Sequence, residues 1–122
     1  MSDPNFVLLY VNSPDDCAAF YAGLLGKAPV EASPTFAMFA LESGVMLGLW
    51  AAHMVQPQAT AAGGAEIAFA VDGMATVNAM HADWSAKGLR IVQAPTAMDF
   101  GFTFVALDPD GHRLRVFAPG AA

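Results

Sequence analysis

Apolar residues in this chain fall into short runs separated by turn residues, and the same order of runs occurs twice. The first copy opens with the apolar run 5–11 and the second with 66–71, and their β-branched and aromatic content predicts a strand in each. A turn and a helix follow each strand. In the first copy Ser13 is the expected N-cap, with Pro14 at the first helical position, and in the second copy the helix covers 74–86. Repetition at this scale predicts two copies of one structural module.

Three further strands are predicted in each copy, separated by turn residues. They lie near 27–31, 35–41 and 45–51 in the first copy and near 89–93, 101–107 and 113–118 in the second. Glu42-Ser43-Gly44 and Asp108-Pro109-Asp110-Gly111 are the expected hairpin turns, because Pro presets φ and Gly accepts a positive φ. We therefore predict an α+β fold: a single domain of two tandem βαβββ modules (about 5–53 and 65–118, linker 54–64) that form a curved mixed sheet around a groove.

Composition limits the possible partners. Hydrophobic residues make up 56% of the chain and charged residues 13%, more apolar material than a small core needs, which indicates a lined cavity or a subunit interface. The net charge of −6 and only five basic residues argue against nucleic acid binding. No apolar run approaches the roughly 20 residues of a membrane span, and the N-terminus lacks the pattern of a signal peptide. Cys17, next to acidic residues, is expected to be a buried hydrophobe. These features favour a cytoplasmic protein.

Two segments stand out beside the doubled module: Tyr10–Asp15 with the following Phe20-Tyr21, and Leu107–Leu114. Together with the doubled module they resemble the vicinal oxygen chelate superfamily. The superfamily includes glyoxalase I, extradiol dioxygenases and the bleomycin and phenazine resistance proteins, and the resemblance covers nearly the whole chain. It implies the fold, whereas the chemistry does not follow from it, since one scaffold can host unrelated functions.

Metal-dependent members of that superfamily place His or Glu ligands at four symmetric positions. The resemblance puts these positions at Phe6, Gly48, Glu66 and Arg115. Only Glu66 could bind a divalent cation, because Arg stays protonated and a metal site needs three or four donors. His53, His81 and His112 have neither a common face nor helical ligand spacing. We therefore expect no metal and no other cofactor.

Strand alternation predicts which residues share the groove face with those four positions. The predicted ligand-binding set is aromatic and Met-containing, with one acid and one base: Phe6, Tyr10, Met46, Trp50, Glu66, Phe102, Phe104, Arg115 and Phe117. Glu66 and Arg115 are expected to form an ion pair across the groove and to orient a ligand there. In the competing interpretation the aromatic side chains are ordinary core. Asp99 is either a contact at the groove rim or a solvated turn residue.

The leading hypothesis is a metal-free, non-catalytic protein that sequesters a planar aromatic compound such as an antibiotic. The resemblance to the resistance proteins implies a homodimer with aromatic grooves at its interface, and the acidic surface would suit a cationic ligand. The alternative is a metal-free or substrate-assisted lyase or isomerase with Glu66 as general base. Burial against Phe6 would raise the pKa of Glu66 and Arg115 would lower it. A glyoxalase-like metalloenzyme is the third possibility. Whether the modules pair within or between chains stays open.

Overall fold

The protein consists of two compact units that share one order of elements. The computed structural model describes residues 3–120, and one unit ends at Ala62 while the other begins at Gly63. The first unit contains β1 (Phe6–Val11), α1 (Pro14–Leu25), β2 (Glu31–Ala32), β3 (Phe36–Ala40), β4 (Met46–Ala51) and a short 3-10 helix (Ala52–Met54). The second contains β5 (Glu66–Ala70), α2 (Met74–Ala86), β6 (Arg90–Met98), β7 (Gly101–Leu107) and β8 (Arg113–Pro119). The predicted α+β fold with its doubled βαβββ order is confirmed.

Each unit builds one four-stranded mixed sheet. The strand orders are β1-β4-β3-β2 and β5-β8-β7-β6, with β1–β4 and β5–β8 parallel and the other pairs antiparallel. Leu8 pairs with Gly48 in the first sheet, and Ala68 pairs with Arg115 in the second. Gly48 and Arg115 therefore occupy equivalent positions in the two units, as the sequence repeat predicts.

The first helix begins and ends as its sequence predicts. The Oγ of Ser13 accepts a hydrogen bond from the backbone N–H of Asp16 at 3.2 Å, and Pro14 occupies the first turn. Gly26 ends α1 in the left-handed conformation (φ 68°), and its N–H donates to the carbonyl of Ala22 at 3.0 Å. These caps fix which residues of α1 face the sheet, so that Cys17 and Tyr21 are buried.

One face of each sheet packs under its helix and forms the core of that unit. In the second unit Trp84 of α2 meets Phe104 edge to face at 5.3 Å between ring centroids, and Leu114 and Val116 are fully buried beside them. Burying one such side chain stabilises the fold by roughly 1.5–3 kcal/mol. In the first unit Phe39 of β3 and the alternate β4 residues Leu47, Leu49 and Ala51 are buried in the same way. The alternate apolar strand residues that the sequence assigns to packing under the helices therefore form the core.

The β3–β4 and β7–β8 hairpins each have a three-residue loop. The N–H of Leu41 donates to the carbonyl of Val45 at 3.0 Å, and the N–H of Asp108 donates to that of His112 at 2.9 Å. Each loop thus has three residues, with a glycine at positive φ in third place (Gly111 at φ 87° in the second unit). This loop length sets the register of β7 against β8, and with it the face on which each β7 side chain lies.

Two strands differ in length from their predictions. The strand predicted near 27–31 is reduced to the two residues of β2, whereas the strand predicted near 89–93 extends as β6 to Met98. β6 runs through Pro95 because it is the edge strand of its sheet, where a residue without an N–H need not break a ladder hydrogen bond. Among the described residues, no helix is long and apolar enough to cross a membrane.

Candidate functional site

Arg115, on β8, is the centre of a polar cluster on the face of the second sheet that lies opposite α2. Its Nε and Nη2 donate to the two carboxylate oxygens of Glu66 at 2.8 and 3.0 Å. Its Nη1 donates to Oε1 of Gln93 at 3.2 Å and to Oγ1 of Thr103 at 3.1 Å. We call these four residues the Arg115 cluster. The two parallel hydrogen bonds to Glu66 fix the guanidinium plane as well as its position.

Each partner in the Arg115 cluster comes from a different strand. Glu66 is the first residue of β5, Gln93 lies on β6 and Thr103 lies on β7. Thr103 is fully buried, and its hydroxyl donates to the carbonyl of Val116 at 2.9 Å, so its oxygen is oriented to accept from Arg115. The side chains of Arg115 and Glu66 are 18% and 29% exposed. All four strands of the sheet therefore hold one partly desolvated guanidinium in place.

The ion pair also sets the acidity of Glu66. The hydrogen bonds from Arg115 lower the pKa of the Glu66 carboxyl below its ordinary value of 4.5, although burial of the group acts in the opposite direction. The positive charges of Arg115 and Arg113 lower the pKa further. Glu66 is consequently ionised at neutral pH, and it is a weaker base than an ordinary glutamate.

An aromatic ring covers one side of the guanidinium. The ring of Phe100 lies with its centroid 5.8 Å from Cζ of Arg115, and it meets Phe117 edge to face at 5.9 Å. A cation over an aromatic ring at this distance is attracted by the electron-rich face. Phe100 is still 43% exposed, so its ring is accessible to a ligand.

Phe100 was not among the residues predicted from the sequence. It follows Asp99 in the two-residue turn between β6 and β7, where Met98 pairs with Gly101. A large aromatic residue in so short a turn is unusual, because Gly, Asn and Asp are the residues that such turns favour. That mismatch was the available sequence signal. Asp99 itself is an exposed turn residue.

A pocket of about 260 Å³ lies beside the Arg115 cluster. Its lining consists of Val92, Gln93, Val105, Arg113 and Arg115. Pockets that enclose a whole drug-sized ligand are typically ~300–1,000 Å³. The pocket is therefore large enough for one substituent or one ring edge of a ligand.

Residues 3–62 of the first unit contain no equivalent of this cluster, for a steric reason. Gly48 stands where Arg115 stands in the second unit. A Cβ at Gly48 would lie 2.7 Å from Cδ2 of Leu8 and 2.9 Å from Cζ of Phe36. The space that a side chain would need is thus already filled by the two neighbours.

In the second unit the large side chain is at position 115 and its two neighbours are small, the opposite of the arrangement around Gly48. The residue equivalent to Leu8 is Ala68, the cross-strand partner of Arg115. The residue equivalent to Phe36 is Thr103, which pairs with Phe117 as Phe36 pairs with Trp50. Small residues next to position 115 leave room for a guanidinium, and one of them also supplies a hydrogen-bond acceptor. The repeated backbone therefore carries an apolar surface in one unit and a polar anchor in the other.

The structure brings together part of the predicted ligand-binding set. Glu66, Arg115 and Phe117 lie on one face of the second sheet. Four others lie on the face of the first sheet opposite α1, where Tyr10 and Trp50 meet edge to face at 6.4 Å between centroids: Phe6, Tyr10, Met46 and Trp50. The ion pair was expected to cross a groove, but Glu66 and Arg115 are neighbours within one sheet.

Two predicted residues lie on the wrong face. Phe104 pairs with Val116, and it is fully buried against Trp84 of α2. Phe102 pairs with Ala118 and shares that parity. The residue opposite Arg115 is Val105. The three-residue loop after Asp108 shifts the register by one from the prediction, and such a shift moves every side chain to the other face.

The donor set does not fit a divalent metal ion. Phe6 and Gly48 offer no side-chain ligand, Arg115 stays protonated, and both oxygens of Glu66 accept hydrogen bonds from Arg115. Within residues 3–120, no group of three or more His, Cys, Asp or Glu side chains is arranged to hold a metal. His81, one of the three histidines, packs its ring against Phe104.

Comparison with known proteins places the chain among glyoxalase-like folds. The sequence model of the "Glyoxalase/Bleomycin resistance protein/Dioxygenase superfamily" matches residues 4–116. The phenazine antibiotic resistance protein EhpR of Enterobacter agglomerans is 27% identical over 116 residues, which cover 93% of this chain and 89% of that protein.

Solved structures agree in fold. A protein from Agrobacterium tumefaciens, solved by solution NMR, is 48% identical with a TM-score of 0.91 and covers 99% of this chain and 100% of its own. A glyoxalase-related enzyme from Fulvimarina pelagi is 22% identical with a TM-score of 0.85, over 97% of this chain and 88% of its own. The second likeness shows the fold alone.

Proposed function

We propose that this chain, which belongs to the glyoxalase/bleomycin resistance protein/dioxygenase superfamily, is a binding protein that sequesters a planar aromatic compound without a metal or other cofactor. The supporting observation is the surrounding of Arg115. A partly desolvated guanidinium is fixed by four hydrogen bonds, lies against the ring of Phe100 and borders a pocket of about 260 Å³. A flat ligand could stack on the exposed ring and direct a polar substituent to Arg115.

The similarity to a phenazine antibiotic resistance protein supports the choice of ligand class. That relative matches 93% of the chain, so the similarity extends over both units. Phenazines are planar and aromatic, which suits a site that combines an exposed Phe ring with a fixed hydrogen-bond donor. Antibiotic sequestration, a cytoplasmic location and a homodimer are all part of this proposal.

The predicted enzymatic alternative has less support. A general base close to neutral pH needs a raised pKa and a free oxygen that faces the substrate proton. Glu66 has a lowered pKa, and Arg115 engages both of its oxygens. An ion pair of this kind serves better to hold Arg115 than to abstract a proton.

Isothermal titration calorimetry with phenazine-1-carboxamide tests the proposal. We expect saturable binding at one site per chain, with weaker binding in Phe100→Leu and in Arg115→Lys, which keeps the charge but loses the two-pronged geometry. Lys87→Gln is the control, because Lys87 caps the C-terminal end of α2 and pairs with Asp83. No heat of binding up to the solubility limit of the compound, for the folded wild type, would overturn the proposal.

Trp50 provides a second readout of the same titration. It is half-buried on the predicted ligand-binding face of the first sheet, whereas Trp84 of α2 is buried in the core of the second unit. Quenching that persists in Trp84→Phe and is lost in Trp50→Phe would support a contact with the first sheet. The reverse pattern would argue against the predicted ligand-binding role of Tyr10, Met46 and Trp50. Sedimentation equilibrium of the same samples tests the homodimer.

A further inference from the structure

The charges around the pocket are opposite in sign to those of the whole protein. The chain carries a net charge of −6, but the pocket is lined by Arg113 and Arg115 and by no acidic residue. Glu66 pairs with Arg115 but is not part of the lining of the pocket. Two guanidinium groups against one carboxylate leave a local surplus of one positive charge.

Arg113 supplies that surplus. Its strand position pairs with Glu66, and its charge helps to lower the pKa of the Glu66 carboxyl. Yet Arg113 forms no ion pair with any residue from 3 to 120 that would neutralise it, since both oxygens of Glu66 are engaged by Arg115. Arg113 is also exposed, so its guanidinium is available to a ligand in the pocket.

One N–H group of the Arg115 guanidinium has no hydrogen-bond acceptor among the described residues. A guanidinium has five N–H groups in a fixed plane. Within the described part of the chain four of them are used, one on Nε for Glu66, two on Nη1 for Gln93 and Thr103, and one on Nη2 for Glu66. The second N–H of Nη2 remains to donate to a further acceptor.

We infer that the ligand of this protein carries an anionic group, a carboxylate or a comparable oxyanion, which enters the pocket between Arg113 and Arg115. Val92 and Val105 supply apolar walls for the ring edge next to that group. This inference rests on the proposed function and narrows its ligand class to aromatic acids. It departs from the expectation that the acidic surface selects a cationic ligand, because an anion is attracted by the local charge at short range while the distant charges are screened by salt.

Arg113 is thereby assigned as a specificity-determining residue. Arg115 is held mainly by the protein, so it defines where the anion lies. Arg113 forms no ion pair within residues 3–120, so its positive charge is available to the ligand. That charge distinguishes an anion from a neutral group of the same shape. Its removal should weaken the binding of an acid more than the binding of a neutral ring.

Three probes with similar rings but different charges test the inference by calorimetry at neutral pH. They are phenazine-1-carboxylate, the neutral phenazine-1-carboxamide and the cationic 9-aminoacridine. We expect the carboxylate to bind at least about tenfold more tightly than the carboxamide, since a hydrogen bond to a charged group exceeds one to a neutral group by about that factor. In Arg113→Gln the preference should fall to about threefold or less, whereas Lys87→Gln, which removes the same charge at the C-terminal cap of α2, should retain it.

The outcomes separate the two proposals. Equal or tighter binding of the carboxamide or of the aminoacridine would overturn the anionic ligand class and leave the binding function standing. A preference for the carboxylate that Arg113→Gln does not change would overturn the role of Arg113. Failure of all three probes to bind the folded protein would overturn the binding function itself. Circular dichroism confirms folding of each variant, and a preference that weakens as salt rises is the expected electrostatic signature.

Discussion

Arg115 and Glu66 are 49 residues apart in the sequence, yet two parallel hydrogen bonds of 2.8 and 3.0 Å join their side chains on one sheet face. Their exposed fractions of 18% and 29% are lower than those of the helical pair Lys87–Asp83, at 43% and 57%. Less water around the pair means less screening of its charges. The two pairs therefore allow a direct comparison of coupling energies within one protein.

Double-mutant cycles in urea should show this difference. For Glu66→Gln with Arg115→Gln we expect a coupling free energy of about 1–2 kcal/mol, and for Asp83→Asn with Lys87→Gln about 0.5 kcal/mol or less. The larger value reflects the fork geometry and the partial burial. Equal coupling energies for the two pairs would mean that Arg115 is not held as firmly as its four hydrogen bonds indicate.

The ion pair also predicts how stability depends on acid. The folded-state pKa of Glu66 is lowered below 4.5, so the unfolded state binds the proton more readily. The stabilisation by ionised Glu66 is complete above the unfolded pKa of about 4.5 and is lost as pH falls through the lower folded value. Unfolding free energies of wild type and Glu66→Gln, measured from neutral pH downward, should converge as the pH falls below the unfolded pKa and through the lower folded pKa of Glu66. A gap that stays constant into strong acid would contradict the shift.

Phe100 and Phe104 should separate binding from stability. Phe100 is 43% exposed against Arg115, whereas Phe104 is fully buried under α2. We expect Phe104→Ala to lower the free energy of unfolding by about 3–5 kcal/mol. Phe100→Ala should lower it by less than about 1 kcal/mol, and should weaken the binding of phenazine-1-carboxamide. Chemical denaturation and calorimetry measure the two effects. Retained affinity in Phe100→Ala would remove its ring from the site.

The volume exchange between the units predicts a compensating pair of substitutions. Gly48→Ala places a Cβ against Leu8 and Phe36 and should cost about 1–3 kcal/mol. Leu8 is 47% exposed, so Leu8→Ala alone should cost little, and it should recover part of the Gly48→Ala loss when the two are combined. Gly23→Ala, with no atom within 4 Å of the new Cβ, is the control and should stabilise α1 by about 0.5–1 kcal/mol. Simple additivity of the Leu8 and Gly48 changes would refute the steric account.

Local features of the sequence were enough to predict most of the fold. Ser13, Pro14 and Gly26 define α1 through their own backbone preferences, and the alternation of apolar residues separates the core face from the other face. The register of β7 against β8 could not be predicted from local features alone. The face of Phe104 depends on one additional loop residue after Asp108, and a turn motif alone does not show whether that residue joins the loop or the ladder.

The candidate site was only partly predictable for the same reason. Glu66 and Arg115 were expected as a pair because the repeat assigns them to special positions. Gln93, Thr103 and Phe100 were not, because their roles depend on which side chains from separate strands meet at one point. Local sequence patterns do not contain that information.

The sequence by itself thus determined the repeated βαβββ order, the helix ends and the absence of a metal-binding side chain at Phe6, Gly48 and Arg115, because each depends on residue type and on short-range backbone preference. Only the tertiary structure decided that Arg115 is fixed within its own sheet by Glu66, and that Phe104 belongs to the core. Those outcomes arise from strand register and side-chain volume, which are settled when residues distant in the chain compete for the same space.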